Sequence, residues 1–290
     1  MKATTGEKCF YALNYMALAA IALTCLLPFL HIIAVSFSER GAVESGHVFL
    51  WPVGFQLTAY KFFFIATPAV KAFLNSLWIT IGGVTLSMLC TVLAAYPLSR
   101  PYLYGRKYMV LAMVFTMLFS GGMIPTYLVV KSLSLIDSYW SIWLTGLIST
   151  YNMLLMRSYF ENIPREVEEA AQIDGCNETT LLVRIILPLS LPMLATLALF
   201  YGVSYWNAFM NVLMYINKSD MQNLTVIVQA MLQKNDVLAA ASTDIVEQQL
   251  VMNEMIKSVG VVVMVVPMLL VYPFLQKYFV KGVMLGSVKG

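Results

Sequence analysis

Six stretches of the chain contain no Asp, Glu, Lys or Arg: 9–38, 72–99, 108–130, 138–156, 185–217 and 258–276. Each is long enough to approach the roughly 20 apolar residues that carry an α-helix across a bilayer core. Hydrocarbon offers the backbone no hydrogen-bond partners, so each run is expected to be helical. A membrane β-barrel would alternate apolar and polar residues, and these runs do not alternate. The pattern predicts an all-α integral membrane protein with six transmembrane helices, at about residues 10–36, 73–98, 108–130, 139–156, 193–216 and 258–276. Two shorter uncharged windows are read as extramembrane or interfacial: 47–60, broken by Pro52 and Gly54, and 221–233, which carries Gln222, Asn223 and Gln229. The first run follows Lys2 and Lys8 but is too long for a signal-peptide core and passes Pro28 without a small-residue cleavage site, so it is expected to be a retained helix.

Composition agrees. Of 290 residues, 60% are hydrophobic and 11% charged, against about 25% charged in soluble domains. A single transmembrane domain, 1–290, is the simplest organisation. A net charge of +3 without a basic stripe excludes a nucleic-acid partner. Cys9, Cys25, Cys90 and Cys176 show no ligand spacing, and His31 and His47 stand alone, so no metal site is expected. Neither a G-x-x-x-x-G-K-[ST] loop nor a G-x-G-x-x-G loop occurs, so no ATP or Mg site and no other cofactor are expected on this chain. With both termini inside, eleven basic residues lie in the inner segments and seven in the longer outer ones, which orients the termini to the cytoplasm.

The segment 157–192 is predicted to be an inner helical hairpin. Pro164 suits a first helical turn, and Glu166, Glu168 and Glu169 suit the positive end of a helix. Gly175 suits the left-handed position after it, and Asn177 can cap the next helix. Pro188 and Pro192 interrupt that helix where the fifth span begins. Small alanines admit close approach by another protein, although spacing alone serves a solvated hairpin equally well.

Glu169-Ala170-Ala171, then three residues to Gly175, then nine to Ile185 and Leu187-Pro188, resembles the EAA signature of bacterial ABC-importer permeases. The resemblance implies the type I ABC importer permease fold. It also implies a coupling helix that docks on the ATPase, with Glu169, Ala170, Ala171 and Gly175 as the docking residues. The stretches FLWPVGFQLTAYKFF, AAYPLSR (94–100), YWNAF (205–209) and QKYFVKGVMLGSVKG (276–290) are similar to the smaller permease of the maltose-type carbohydrate importers. FSGGMIPTYLVVKSLSLIDSYW, 119–140, looks closest to the branch for complex oligosaccharides and polysaccharides.

That family implies a second permease subunit in a heterodimer, an ATPase dimer, an extracytoplasmic solute-binding protein and a sugar substrate, all at the cytoplasmic membrane of a bacterium. It assigns the outer segment 218–257 to binding-protein docking and the C-terminal tail, 281–290, to contact with the ATPase. A solvated loop and a frayed end serve these two segments as well on sequence alone. In the fifth span Ser204, Tyr205, Trp206, Asn207 and Asn211 are candidates for the sugar pathway, Asn207 and Asn211 sharing a helical face. Interhelical hydrogen bonding is the competing role, and Tyr127 is a further candidate. Gly82-Gly83 and Gly121-Gly122 are expected at close helix contacts. An importer permease for a non-sugar solute would share the EAA loop. An ion-coupled secondary transporter would need a buried charge in a span, and none of the six windows has one.

Overall fold

The structure, a computed structural model, describes residues 4–239, 254–271 and 273, and all regular structure among them is helical. The predicted tail, 281–290, the outer segment over 240–253 and the end of the sixth window lie outside the described residues. The chain divides into two compact units, 1–69 with 227–266 and 70–226 with 267–290.

In the first unit α1 (Thr5–Phe37) is apolar on all sides. Its first turn carries a capping box, with Thr4 Oγ1 accepting from the Glu7 amide and Glu7 Oε2 from the Thr4 amide. From Tyr11 to Leu27 the side chains are exposed, as lipid contact requires. The short α2 (Arg40–Glu44) follows, and the loop after it folds back on the end of α1. His31 Nδ1 lies 2.8 Å from the Phe49 carbonyl. The Glu39 amide donates to the Val53 carbonyl at 2.8 Å, and Phe37 stacks on Phe55 and Tyr60. Then α3 (Thr58–Ala66) buries Ala59 and Phe63.

The second unit is built on α4 (Ala69–Ser99), the longest of its helices. It is followed by α5 (Arg106–Leu118), α6 (Met123–Ser132), α7 (Trp140–Thr145) and α8 (Thr150–Glu161). Next come α9 (Arg165–Ile173), α10 (Glu178–Leu181), a π-helical turn over Leu182–Ile186 and α11 (Leu187–Leu189). Then follow α12 (Leu191–Trp206), α13 (Phe209–Tyr215), α14 (Leu224–Ala239) and α15 (Glu254–Val271); the part of α14 from 227 on and residues 254–266 of α15 belong to the first unit.

Among the described residues three helices are individually long and apolar enough to cross a membrane: α1, α4 and α15. Three windows read as straight spans are broken. The third is α5 and α6 at 112° to one another, because Gly122 takes φ 88° between them. Gly121 and Gly122 therefore make a turn and not the expected helix contact, with nothing within 4 Å of an added Cβ on either. The fourth window divides at Gly146 into α7 and α8. The fifth stops at Asn207, so Asn207 ends α12 while Asn211 lies on α13, and the two do not share one helix. The window 221–233, read as an extramembrane loop or interfacial segment, is largely helical. Asn223 starts α14, its Oδ1 accepting from the Val226 amide at 3.1 Å and its Nδ2 donating to the Ala208 carbonyl.

Two tyrosines of α12 tie the second unit together. Tyr205 Oη lies 2.9 Å from Ser87 Oγ, and Tyr201 Oη lies 2.7 Å from Thr91 Oγ1 and accepts from the Ser149 amide. Where water is excluded, phenols must find such partners. The Tyr205 ring lies on Gly83, where a Cβ would come within 2.7 Å of it, and Trp143 fills the same place at Gly82. This glycine pair is a close helix contact, as the sequence indicated.

Candidate functional site

The hairpin begins at Pro164, which precedes α9 as its cap residue. At its end Gly175, at φ 79°, donates to the Gln172 carbonyl, and the Cys176 amide reaches back to Ala171. Those two bonds form a Schellman motif, and the left-handed geometry is open to glycine at little cost. Asn177 Oδ1 then accepts from the Thr180 amide at 2.8 Å and starts α10. The second arm bends by 80° at Ser190, between Pro188 and Pro192, to enter α12.

The four proposed docking residues do not share one environment. Ala171 is 5% exposed and packs with Tyr96, Phe160, Leu181 and Leu182 in the chain's own core. Glu169, Ala170 and Gly175 are exposed. Beside them Ile173 is 85% exposed, a large apolar side chain at the tip that the sequence reading missed.

The hairpin is fastened to the end of α4. Arg100, 6% exposed, pairs through Nη1 with Glu168 of α9 and lies over the Tyr96 ring, 4.4 Å from its centroid. Burial opposes the charge on Arg100, but the hydrogen bond to Glu168 and the electrostatic attraction of Tyr96, Glu168 and Tyr102 together outweigh it and hold the guanidinium above its usual pKa. Tyr96 Oη donates to Glu178 of α10 at 2.7 Å, and Tyr102 donates to the other oxygen of the same carboxylate. Both arms are thus gripped by residues 96–102. A second tie runs from α8: Arg157 donates to the Leu98 carbonyl and, with Arg106, to Glu161. AAYPLSR was noticed only as a resemblance. The signal within it was an arginine directly after an apolar helix, for which a nearby carboxylate partner is required.

Between α8 and the junction of α12 and α13 lies a cavity of about 1100 Å³. Tyr205, Asn207 and Asn211 line it, joined by Ser204, Tyr151 and Asn152, and no Asp, Glu, Lys, Arg or His is among its lining residues. Asn207 Nδ2 donates to the Val203 carbonyl at 2.9 Å. Tyr205 contributes a wall whose hydroxyl is committed to Ser87. Trp206 does not reach the cavity: it is buried edge-on against Phe73. Tyr127 stacks on Tyr215 away from the lining. Tyr151 and Asn152 were missed because they belong to the first turn of a short helix that the uninterrupted fourth window concealed. No group of three or more potential metal ligands occurs among the described residues.

Comparison with known proteins gives one picture. The family profile described as "Binding-protein-dependent transport system inner membrane component" matches residues 9–285. The polygalacturonan/rhamnogalacturonan transport system permease protein YtcP of Bacillus subtilis (strain 168) is 43% identical over 284 residues, 98% of this chain and 99% of the relative. Protein LplC of the same organism is 40% identical over 290 residues, 100% of this chain and 98% of the relative. A crystal structure of a bacterial ABC transporter involved in the import of the acidic polysaccharide alginate superposes with a TM-score of 0.86 at 30% identity, covering 96% of this chain and 99% of that one. This chain, all-helical and multi-pass, belongs to the family of binding-protein-dependent transport inner membrane components and is an ABC importer permease, a transport subunit and not an enzyme.

Proposed function

We propose that the chain forms half of the translocation pathway for an oligosaccharide or polysaccharide, paired with a second, different permease. An ATPase dimer carrying ATP and Mg grips the hairpin of α9 and α10, and an extracytoplasmic binding protein delivers the sugar. Both termini then face the cytoplasm. The observation that carries the reading is the construction of the hairpin. Glu169, Ala170, Ile173 and Gly175 are open to a partner, while Arg100 and Tyr96 fasten the opposite side to the end of α4. A push on such an edge moves α4 and, through α11, the fifth window as rigid elements. The relatives' substrates support the sugar class, and so does the cavity, whose hydroxyl, amide and aromatic groups suit sugar hydroxyls and ring faces. An uncharged wall offers a carboxylated sugar no deep ionic trap, which favours passage over retention.

The test is reconstitution with the partner permease, the ATPase and the binding protein in proteoliposomes. Oligogalacturonide should stimulate ATP hydrolysis and accumulate only with ATP. Flux driven by an ion gradient without ATP would refute the reading. In the same assay Asn211→Leu is expected to reduce uptake several-fold while the ATPase stays bound, since losing one buried amide contact costs about 1–2 kcal/mol. An unchanged uptake curve would confine Asn211 to packing.

A further inference from the structure

A second cavity, of about 710 Å³, opens beside the connection between α4 and α5. Arg106, Lys107 and Arg157 line it together with Tyr102, Tyr104 and Tyr108. No carboxylate is among its lining residues. Glu161, which neutralises one charge by pairing with both Arg106 and Arg157, is not itself a lining residue, and neither is Glu178, the acceptor for Tyr102. Three cations against the single shared Glu161 leave a surplus of two positive charges. Gly105 caps α5 in a left-handed conformation without a side-chain acceptor, so the positive end of that helix also opens here.

The surroundings distinguish this cavity from a pocket for a soluble anion. No residue of α5 is buried, and Met109, Leu111, Phe115 and Leu118 present an apolar surface that continues from the cavity along the helix. Tyr104 is 97% exposed, and Tyr102 and Tyr108 are also open. Tyrosines and basic side chains at the end of apolar helices sit at headgroup level. Basic pockets between spans are suited to anionic lipid heads.

We propose that this cavity binds the phosphate head of an anionic phospholipid, with the acyl chains lying along the exposed face of α5. Lys107 supplies the cation that is not committed to Glu161, Arg106 and Arg157 supply the field, and the tyrosines bracket the glycerol region. The assignment to the inner leaflet rests on the orientation proposed above, whereas the headgroup site does not. Residues 100–106 also hold Arg100, so an occupied site braces the segment that grips the hairpin.

The test uses the assembled importer in nanodiscs, with bound lipid counted by native mass spectrometry. Phosphatidylglycerol should be retained over phosphatidylcholine, and Lys107→Ala should lower that retention about fivefold, the equivalent of one basic residue at a charged lipid surface. Lys131→Ala, an exposed cation outside the cavity, should leave retention unchanged. Equal effects of the two substitutions, or none from Lys107→Ala, would overturn the site. A photo-reactive phenylalanine in place of Tyr104 should label phospholipid. Labelling of the ATPase instead would make this face a protein contact, and protection by free glycerol 3-phosphate would make it a soluble-anion pocket; either outcome overturns the lipid assignment. ATP hydrolysis measured on the same complexes separates these failures from a failure of the importer reading.

Discussion

Arg100→Ala is expected to abolish sugar-stimulated ATP hydrolysis and uptake while the protein still inserts in the membrane. Arg100 and Glu168 form a pair with side chains 7% and 15% exposed. Removing one member of a buried pair costs about 3–5 kcal/mol, because the other charge is left without compensation. The cost falls on the joint between α4 and α9, so the hairpin should loosen and nucleotide-driven movement should no longer reach the spans. Hydrolysis would then continue at a basal rate that the loaded binding protein fails to raise. Arg100→Lys should recover little, since one ammonium cannot both hold Glu168 and cover the Tyr96 ring as a planar guanidinium does. Replacing Arg100 and Glu168 together by Met should restore part of the coupling, because apolar substitutes for a buried ion pair are often neutral or stabilising. Coupled transport in Arg100→Ala, equal to that of the parent protein, would remove the joint from the mechanism.

The second large effect is expected at the tip. Gly175 stands at φ 79° and donates to the Gln172 carbonyl. Proline fixes φ near −65° and has no N–H, so Gly175→Pro destroys the turn between the two arms. Ala170→Arg leaves the turn intact but places bulk and charge on the exposed face. Both variants should fail to retain the ATPase during purification, with loss of about 2 kcal/mol or more of binding at a central contact. Ala171→Arg should act differently, disturbing the permease itself, because Ala171 is packed among Phe160 and Leu181. Thermal stability of the purified permease pair separates the cases: it should fall for Ala171→Arg and hold for Ala170→Arg.

The helical class and the hairpin were legible because charge-free runs and cap residues are local signals. Pro164, Gly175 and Asn177 each mark a boundary through their own backbone chemistry. The breaks inside the apolar windows were not legible by counting charge. Gly122 and Gly146 sit in uncharged sequence, and hydropathy is blind to a bend. Asn207 and Asn211 line the same cavity although the helix stops between them, so what brings them together is the break and not a shared helical face. The helix after Asn223 was hidden by neighbouring polar residues that read as loop. Arg100 shows another limit: its partner Glu168 lies far along the chain, and no local period announces that they meet. Ala171 shows the converse. A motif names a string of neighbours, but a helix turns about 100° per residue, and adjacent members point to different places.

The central claim is that the exposed edge of the hairpin is held by an ATPase. The most direct measurement is cysteine cross-linking from Ala170→Cys, with Cys9, Cys25, Cys90 and Cys176 replaced by serine, in the complex assembled with its ATPase. A short cross-linker is expected to join position 170 to the ATPase subunit, with a yield that changes when ATP is added. Absence of that product under conditions where the complex still couples ATP hydrolysis to sugar uptake would contradict the account.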